Sequence, residues 1–109
     1  MSKLKTITLE KLLEMKKNNE DFKLVEVLKP KAYKKGHIPG AINIPAGELG
    51  ERAQKELDID DTIVVYCSSY TCNASPSAAK KLSSMGYENV YDFSAGKTGW
   101  KNAGFELEK

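Results

Sequence analysis

Residues 63–75, IVVYCSSYTCNAS, constrain this chain more than any other stretch. Four apolar, β-favouring residues, Ile63, Val64, Val65 and Tyr66, stop abruptly at Cys67. A near-continuous apolar run of this kind suits a central parallel strand covered on both faces. A short polar loop follows. A helix signal then begins at about Ser75 and Pro76, where the fixed φ of proline suits a first turn. A buried strand therefore delivers one thiol into a tight loop that opens a helix. Backbone N–H groups at a helix start stabilise an anion, so this is one way to build a reactive cysteine.

The flanking sequence alternates short apolar runs with helical stretches, which argues for an α/β fold with a mostly parallel sheet. Residues 5–7 read as a short strand. Thr8 is a plausible N-cap, and Leu9, Leu12 and Leu13 share one face of a helix that ends near residues 18–19. Residues 22–28 form a second strand, and Pro30 starts a helical turn through Tyr33. GHIPGAINIP at 36–45 is a turn, a very short strand at 41–43, and a turn again. A helix is expected over 47–57, a third strand at Ile63–Tyr66 and a helix over 75–85 stopped by Gly86. The last strand is Val90–Phe93, followed by a short helix over 96–103 that carries Trp100. The expected architecture is about five strands with four or five helices.

Composition narrows the function. With 109 residues and no linker, repeat or low-complexity tract, the chain reads as a single domain over 1–109. The net charge is only +2, with 17 basic residues nearly offset by 15 acidic ones. That balance gives no reason to expect nucleic acid or a membrane as partner. No apolar run approaches the roughly 20 residues of a membrane-spanning helix. The first residues lack the apolar core of a signal peptide, so a cytoplasmic location is expected. Two cysteines, Cys67 and Cys72, are too few for a disulfide framework. With His37 the only histidine, they are also too few for a structural zinc site, and no metal is expected.

The candidate nucleophile is Cys67. The loop Ser68, Ser69, Tyr70, Thr71, Cys72 and Asn73 is the candidate substrate-binding segment. Its N–H groups and hydroxyls, with the following helix end, would favour a thiolate, a persulfide or a bound oxyanion. A buried structural role for Cys67 is the competing reading. Cys72, five residues on, either resolves a persulfide or sulfenic acid on Cys67 or fills space at the helix start. His37 sits in a Gly-His-Ile-Pro-Gly turn, where an imidazole can lock backbone, and Trp100 reads as core.

These stretches together resemble the rhodanese-like family of sulfurtransferases. LVEVLKPKAY at 24–33 is similar to the family's strand and turn, usually Asp-Val-Arg followed by Glu-Tyr. GHIPGAINIP at 36–45 is similar to its first signature. IVVYC at 63–67 is similar to the strand that leads to its catalytic cysteine. Residues 78–82, 86–90 and 96–104 resemble its AA-x-x-L helix, its G-[FY]-x-N-V strand entry and its G-x-x-x-W-x-x-A-G terminus. The resemblance implies a three-layer sandwich with a central five-stranded, mostly parallel sheet flanked by helices. It implies that Cys67 accepts a sulfane sulfur from thiosulfate, a polysulfide or a persulfide and passes it on. The acceptor would be cyanide, a thiol or a thiol-bearing protein, with no cofactor required.

Two departures lie at chemically important points. Glu26-Val27-Leu28 stands for Asp-Val-Arg, so the acid is kept and an arginine is lost. The arginine that usually ends the cysteine loop is also absent, and its place falls on Cys72 or, in a longer loop, on Ala74. Phosphatases related to this fold clamp phosphate with that arginine, so phosphatase chemistry is disfavoured. Thiosulfate, a dianion, becomes a less favoured donor than a polysulfide or persulfide. The loop is similar to a rhodanese subgroup with a C-x4-C-x-A-S pattern. The leading expectation is a sulfurtransferase working through a Cys67 persulfide. The alternatives are a thiol redox or sulfur-carrier protein using the Cys67/Cys72 pair, and a non-catalytic binding module.

Overall fold

The computed structural model describes residues 5–69 and 71–109. In chain order the elements are α1 (Leu9–Lys17), β1 (Lys23–Glu26), α2 (Pro30–Lys35), β2 (Ile42–Asn43), a 3-10 turn (Ala46–Glu48), α3 (Leu49–Glu56), β3 (Ile63–Tyr66), α4 (Ala74–Ser84), β4 (Val90–Phe93) and α5 (Gly96–Asn102). The sheet order is β2-β1-β3-β4, and every pairing is parallel. Each crossover between parallel neighbours therefore carries at least one helix.

The sheet has four strands among the described residues, not the five expected. Residues 5–7 contribute a single parallel bridge, Thr6 to Asp92. Ile7 N–H donates to the Asp92 carbonyl at 3.1 Å, and Asp92 N–H donates to the Lys5 carbonyl at 2.8 Å. The segment cannot extend further because Thr8 already caps α1, its hydroxyl accepting from Lys11 N–H at 3.1 Å. The helix expected as one piece over 47–57 is also divided. A 3-10 turn comes first, and Leu49 then begins the α-helical part.

β3 is central, and all four of its side chains are fully buried. Side chains alternate across a strand, so β3 serves both faces of the sheet. Ile63 and Val65 pack with Leu49, Ala53, Ala78, Ala79 and Leu82 of α3 and α4. Val64 and Tyr66 pack on the other side with Leu12, Phe93 and Trp100. Continuing the alternation puts Cys67 on the α3/α4 face, and it belongs to that cluster. The side-chain face of the thiol is thus set by the register of β3.

One polar network crosses this apolar interior. Glu26, at the end of β1, is fully buried. The Tyr66 hydroxyl donates to Glu26 Oε1 at 2.8 Å and accepts from Ile38 N–H at 3.1 Å. Lys97 Nζ lies 2.9 Å from Glu26 Oε2 and donates to the Ala32 carbonyl at 2.9 Å. Glu26, the acid kept from the Asp-Val-Arg pattern, therefore pairs with a strand tyrosine and a helix lysine. On the β2 side, Asn43 Nδ2 donates to the Glu26 and Leu28 carbonyls at 3.0 and 2.9 Å. The polar groups at the carboxyl ends of β1 and β3 thus satisfy one another.

This network makes stability sensitive to alkali. Burial, and then the charge of Glu26, push the Tyr66 phenol well above its ordinary range. The folded state holds this proton, whereas an unfolded tyrosine releases it near pH 10. A raised folded value means that the contribution is present below pH 10 and lost above it, at about 1.4 kcal/mol per pH unit. In urea unfolding between pH 7 and 11, Tyr66→Phe is expected to be less stable at pH 7. It should also lose less stability than wild type between pH 10 and 11. Equal losses in the two proteins would disprove the assignment.

Candidate functional site at Cys67

Cys67 follows the last residue of β3 and is 1% exposed. Its backbone is held by the start of α5. Lys97 N–H donates to the Cys67 carbonyl at 3.0 Å, and Thr98 N–H donates to the Ser68 carbonyl at 2.8 Å. Gly96 makes that approach possible. Its φ is +60°, and a Cβ there would lie 2.4 Å from the Cys67 carbonyl oxygen. Only glycine suits a position that is both left-handed and in backbone contact.

The loop beyond Cys67 folds back on itself. Cys72 N–H donates to the Ser69 carbonyl at 3.1 Å. The turn brings Cys72 onto Cys67, and the two sulfurs form a disulfide with the Cα atoms 6.4 Å apart. On its other side, Cys67 Sγ lies 3.4 Å from the hydroxyl of Ser75, which is 1% exposed. Ser75 is the second residue of α4, so its hydroxyl brings the first turn of that helix beside the sulfur.

The structure therefore brings together Cys67, Cys72 and Ser75. It does not bring the other expected loop hydroxyls to the sulfur. Ser69 Oγ and Thr71 Oγ1 pair with each other at 3.0 Å. Ser68 and Asn73 are exposed, and Tyr70 lies outside the described residues. His37 plays a structural part. Its Nδ1–H donates to the Tyr33 carbonyl at 3.0 Å, and the ring stacks on Tyr33 at 3.9 Å. Trp100 is buried and donates to the Glu106 carbonyl at 3.0 Å. Among the described residues no three His, Cys, Asp or Glu side chains converge as metal ligands.

Sequence reasoning missed Ser75, Gly96 and Lys97. The signals were present: a small polar residue at the first turn after the loop, and the glycine that opens the terminal helix. Neither discloses a partner far away in sequence. Beside the loop lies a cleft of about 350 Å³, lined among others by Leu28, Lys35, Ser68, Lys97, Lys101 and Leu107. The loop lacks a cation, but α2 and α5 bring three ammonium groups to its border.

A family model described as a rhodanese-like domain matches residues 8–103. An HTH-type transcriptional regulator of Mycobacterium tuberculosis is 38% identical over 103 residues, covering 94% of this chain and 44% of the regulator. A thiosulfate sulfurtransferase of Pseudoalteromonas translucida is 30% identical over 99 residues, covering 91% of this chain and 90% of that enzyme. Among solved structures, the rhodanese-like domain of an Anabaena protein superposes with a TM-score of 0.85 at 28% identity. That match covers 94% of this chain and 77% of the Anabaena one. The chain spans about half the length of some of the curated relatives it matches, 44% and 52% in two cases.

The close approach at Gly96 yields a direct test. Gly96→Ala is expected to cost at least about 2 kcal/mol, from the left-handed backbone and the overlap with the Cys67 carbonyl. The urea midpoint should fall accordingly. An unchanged midpoint would show that α5 is free to move away from Cys67.

Proposed function

The chain belongs to the rhodanese-like domain family, and from that premise we propose that it is a sulfurtransferase in which Cys67 carries the sulfur as a persulfide. The observation that supports this most is the placement of Cys67, at the carboxyl end of the central parallel strand and against the first turn of α4. Ligand sites of open α/β sheets lie at that end. The relatives that bear on this reading include one named as a thiosulfate sulfurtransferase.

In the proposed cycle, an external dithiol first reduces the Cys67–Cys72 disulfide, leaving Cys67 as its thiolate and departing as its own disulfide. The α4 N-terminus and the Ser75 hydroxyl stabilise the charge. The thiolate attacks the sulfane sulfur of a donor, and the S–S bond to the leaving group breaks. With thiosulfate the leaving group is sulfite, and with a polysulfide it is the shortened chain. A thiolate on an acceptor then attacks the outer sulfur of the Cys67 persulfide and takes it, releasing the Cys67 thiolate. This is a double displacement through a covalent intermediate. No step calls on a metal or an organic cofactor. The partners are a small sulfur donor and a thiol acceptor, including one on a protein.

The donor preference follows from the charges around the loop. No Lys, Arg or His lies between Cys67 and Ser75. Three ammonium groups border the cleft, and that of Lys97 is engaged by Glu26. Lys35 and Lys101 offer point charges rather than a bidentate fork. A polysulfide or persulfide therefore suits the loop better than thiosulfate. A second reading, a thiol redox or sulfur-carrier protein, is favoured by one observation, the pairing of Cys67 with Cys72.

Two measurements test the proposal. Reduced protein is incubated with thiosulfate and, separately, with polysulfide, and cyanide-releasable sulfur is measured. Cys72→Ser should yield it, and the double variant Cys67→Ser/Cys72→Ser should not. Equal yields from both proteins would disprove the role of Cys67. In the second measurement, alkylation of reduced Cys72→Ser across pH should show Cys67 titrating below about 8.5, the ordinary thiol value. A normal or raised value would count against stabilisation by the helix start.

A further inference from the structure

We infer that Cys72 converts the Cys67 persulfide into free sulfide, so that the site acts as a sulfane-sulfur reductase. The inference rests on the Cys67 reading above and adds a second outcome at the same site. Its starting point is that the loop already seats one sulfur on the other. The Cα separation of 6.4 Å lies within the span that a disulfide accepts, and only five positions separate the residues. An internal thiol on so short a tether meets the persulfide at a high effective concentration.

The position of contact determines the product. Cys72 attack on the outer sulfur would only move the sulfane sulfur from one cysteine to the other. The structure instead places Cys72 Sγ on Cys67 Sγ, the inner sulfur of the persulfide. Attack there forms the Cys67–Cys72 bond and breaks the bond from Cys67 Sγ to the outer sulfur. The electron pair of that bond leaves with the outer sulfur as hydrosulfide. The sulfane sulfur gains two electrons, and the two cysteines supply them as they become a disulfide. The loop carries no cation to retain the departing anion.

The two sulfurs are also unequal in a way that suits resetting. Cys67 is buried against α4, whereas Cys72 is only partly buried. A reducing thiol from solvent therefore meets Cys72 first. Its attack on Cys72 Sγ expels Cys67 as the thiolate, beside Ser75 and the helix start. Exchange is faster when the leaving thiolate is the stabilised one. A second thiol of the same reductant then frees Cys72, and the reductant leaves as its own disulfide. The reductant is thus a dithiol, either a small molecule or a protein with two adjacent thiols.

The test is a single turnover without external thiol. Fully reduced protein, freed of reductant, is mixed with thiosulfate and in parallel with tetrasulfide, and intact mass is followed. Free sulfide is measured in the thiosulfate arm, where the donor's other product is sulfite. Wild type should finish as the intramolecular disulfide, with one sulfide released for each chain that reacts. Cys72→Ser and Cys72→Ala should retain the added sulfur at least about tenfold longer and release no sulfide. If wild type keeps its added sulfur as long as both variants do, with no disulfide formed, the inference fails and the sulfurtransferase reading stands. If neither wild type nor the variants gain sulfur or release sulfide with either donor, both fail.

Discussion

A buried carboxylate organises this structure. Glu26 sits at the end of β1 with no exposure, and an isolated charge there would be prohibitively costly. Tyr66 and Lys97 make it tolerable, one by a hydrogen bond and the other by an ion pair. Breaking such a buried pair from one side typically costs about 3–5 kcal/mol. The pairing joins β1, β3 and α5 at the end of the sheet where Cys67 emerges. Lys97 binds twice, through its ammonium to Glu26 and through its N–H to the Cys67 carbonyl. The arrangement that neutralises Glu26 therefore also holds the backbone of the candidate nucleophile.

The loop above that support carries no Lys, Arg or His. With no guanidinium there, the groups left to stabilise the proposed thiolate or persulfide are the α4 N-terminus and the Ser75 hydroxyl. Those groups suit a single negative charge better than a dianion. The loop carries a second thiol, Cys72, and the structure closes it with Cys67 into a disulfide. A cation would hold an anion in place, whereas a thiol reacts with it. With Cys72 in the loop, the proposed chemistry is sulfur reduction rather than anion binding.

Much of the fold was legible because local rules and packing agreed. Ile63–Tyr66 and Val90–Phe93 are strands with the expected bounds. Thr8 caps α1, Pro30 is the first residue of α2, and Gly86 with φ of +104° follows α4. The misreadings have physical causes. Residues 5–7 have strand character, but a cap at Thr8 leaves room for one bridge only. Residues 47 and 48 read as helix, yet they belong to a 3-10 turn before Leu49 enters the core. Neither effect is visible in hydrophobic spacing. Within the loop, Cys67 and the reach of Cys72 followed from position. The mutual pairing of Ser69 and Thr71 did not, because hydroxyls choose partners by geometry.

The sequence alone determined the α/β class, the central strand, the thiol at its carboxyl end and the absence of a loop cation. These follow from residue type and spacing within a dozen positions. Only the tertiary structure decided what surrounds that thiol. Ser75 reaches the sulfur because α4 starts where it does, and Gly96 and Lys97 meet the Cys67 carbonyl from the far end of the chain. The Glu26–Lys97 pair spans most of the chain length, so no local pattern could announce it. Residues 63–75 thus specified the candidate thiol, and long-range packing specified its environment. The physical reason is that a strand carries its own periodicity, whereas a site is assembled where several strands and helices end together.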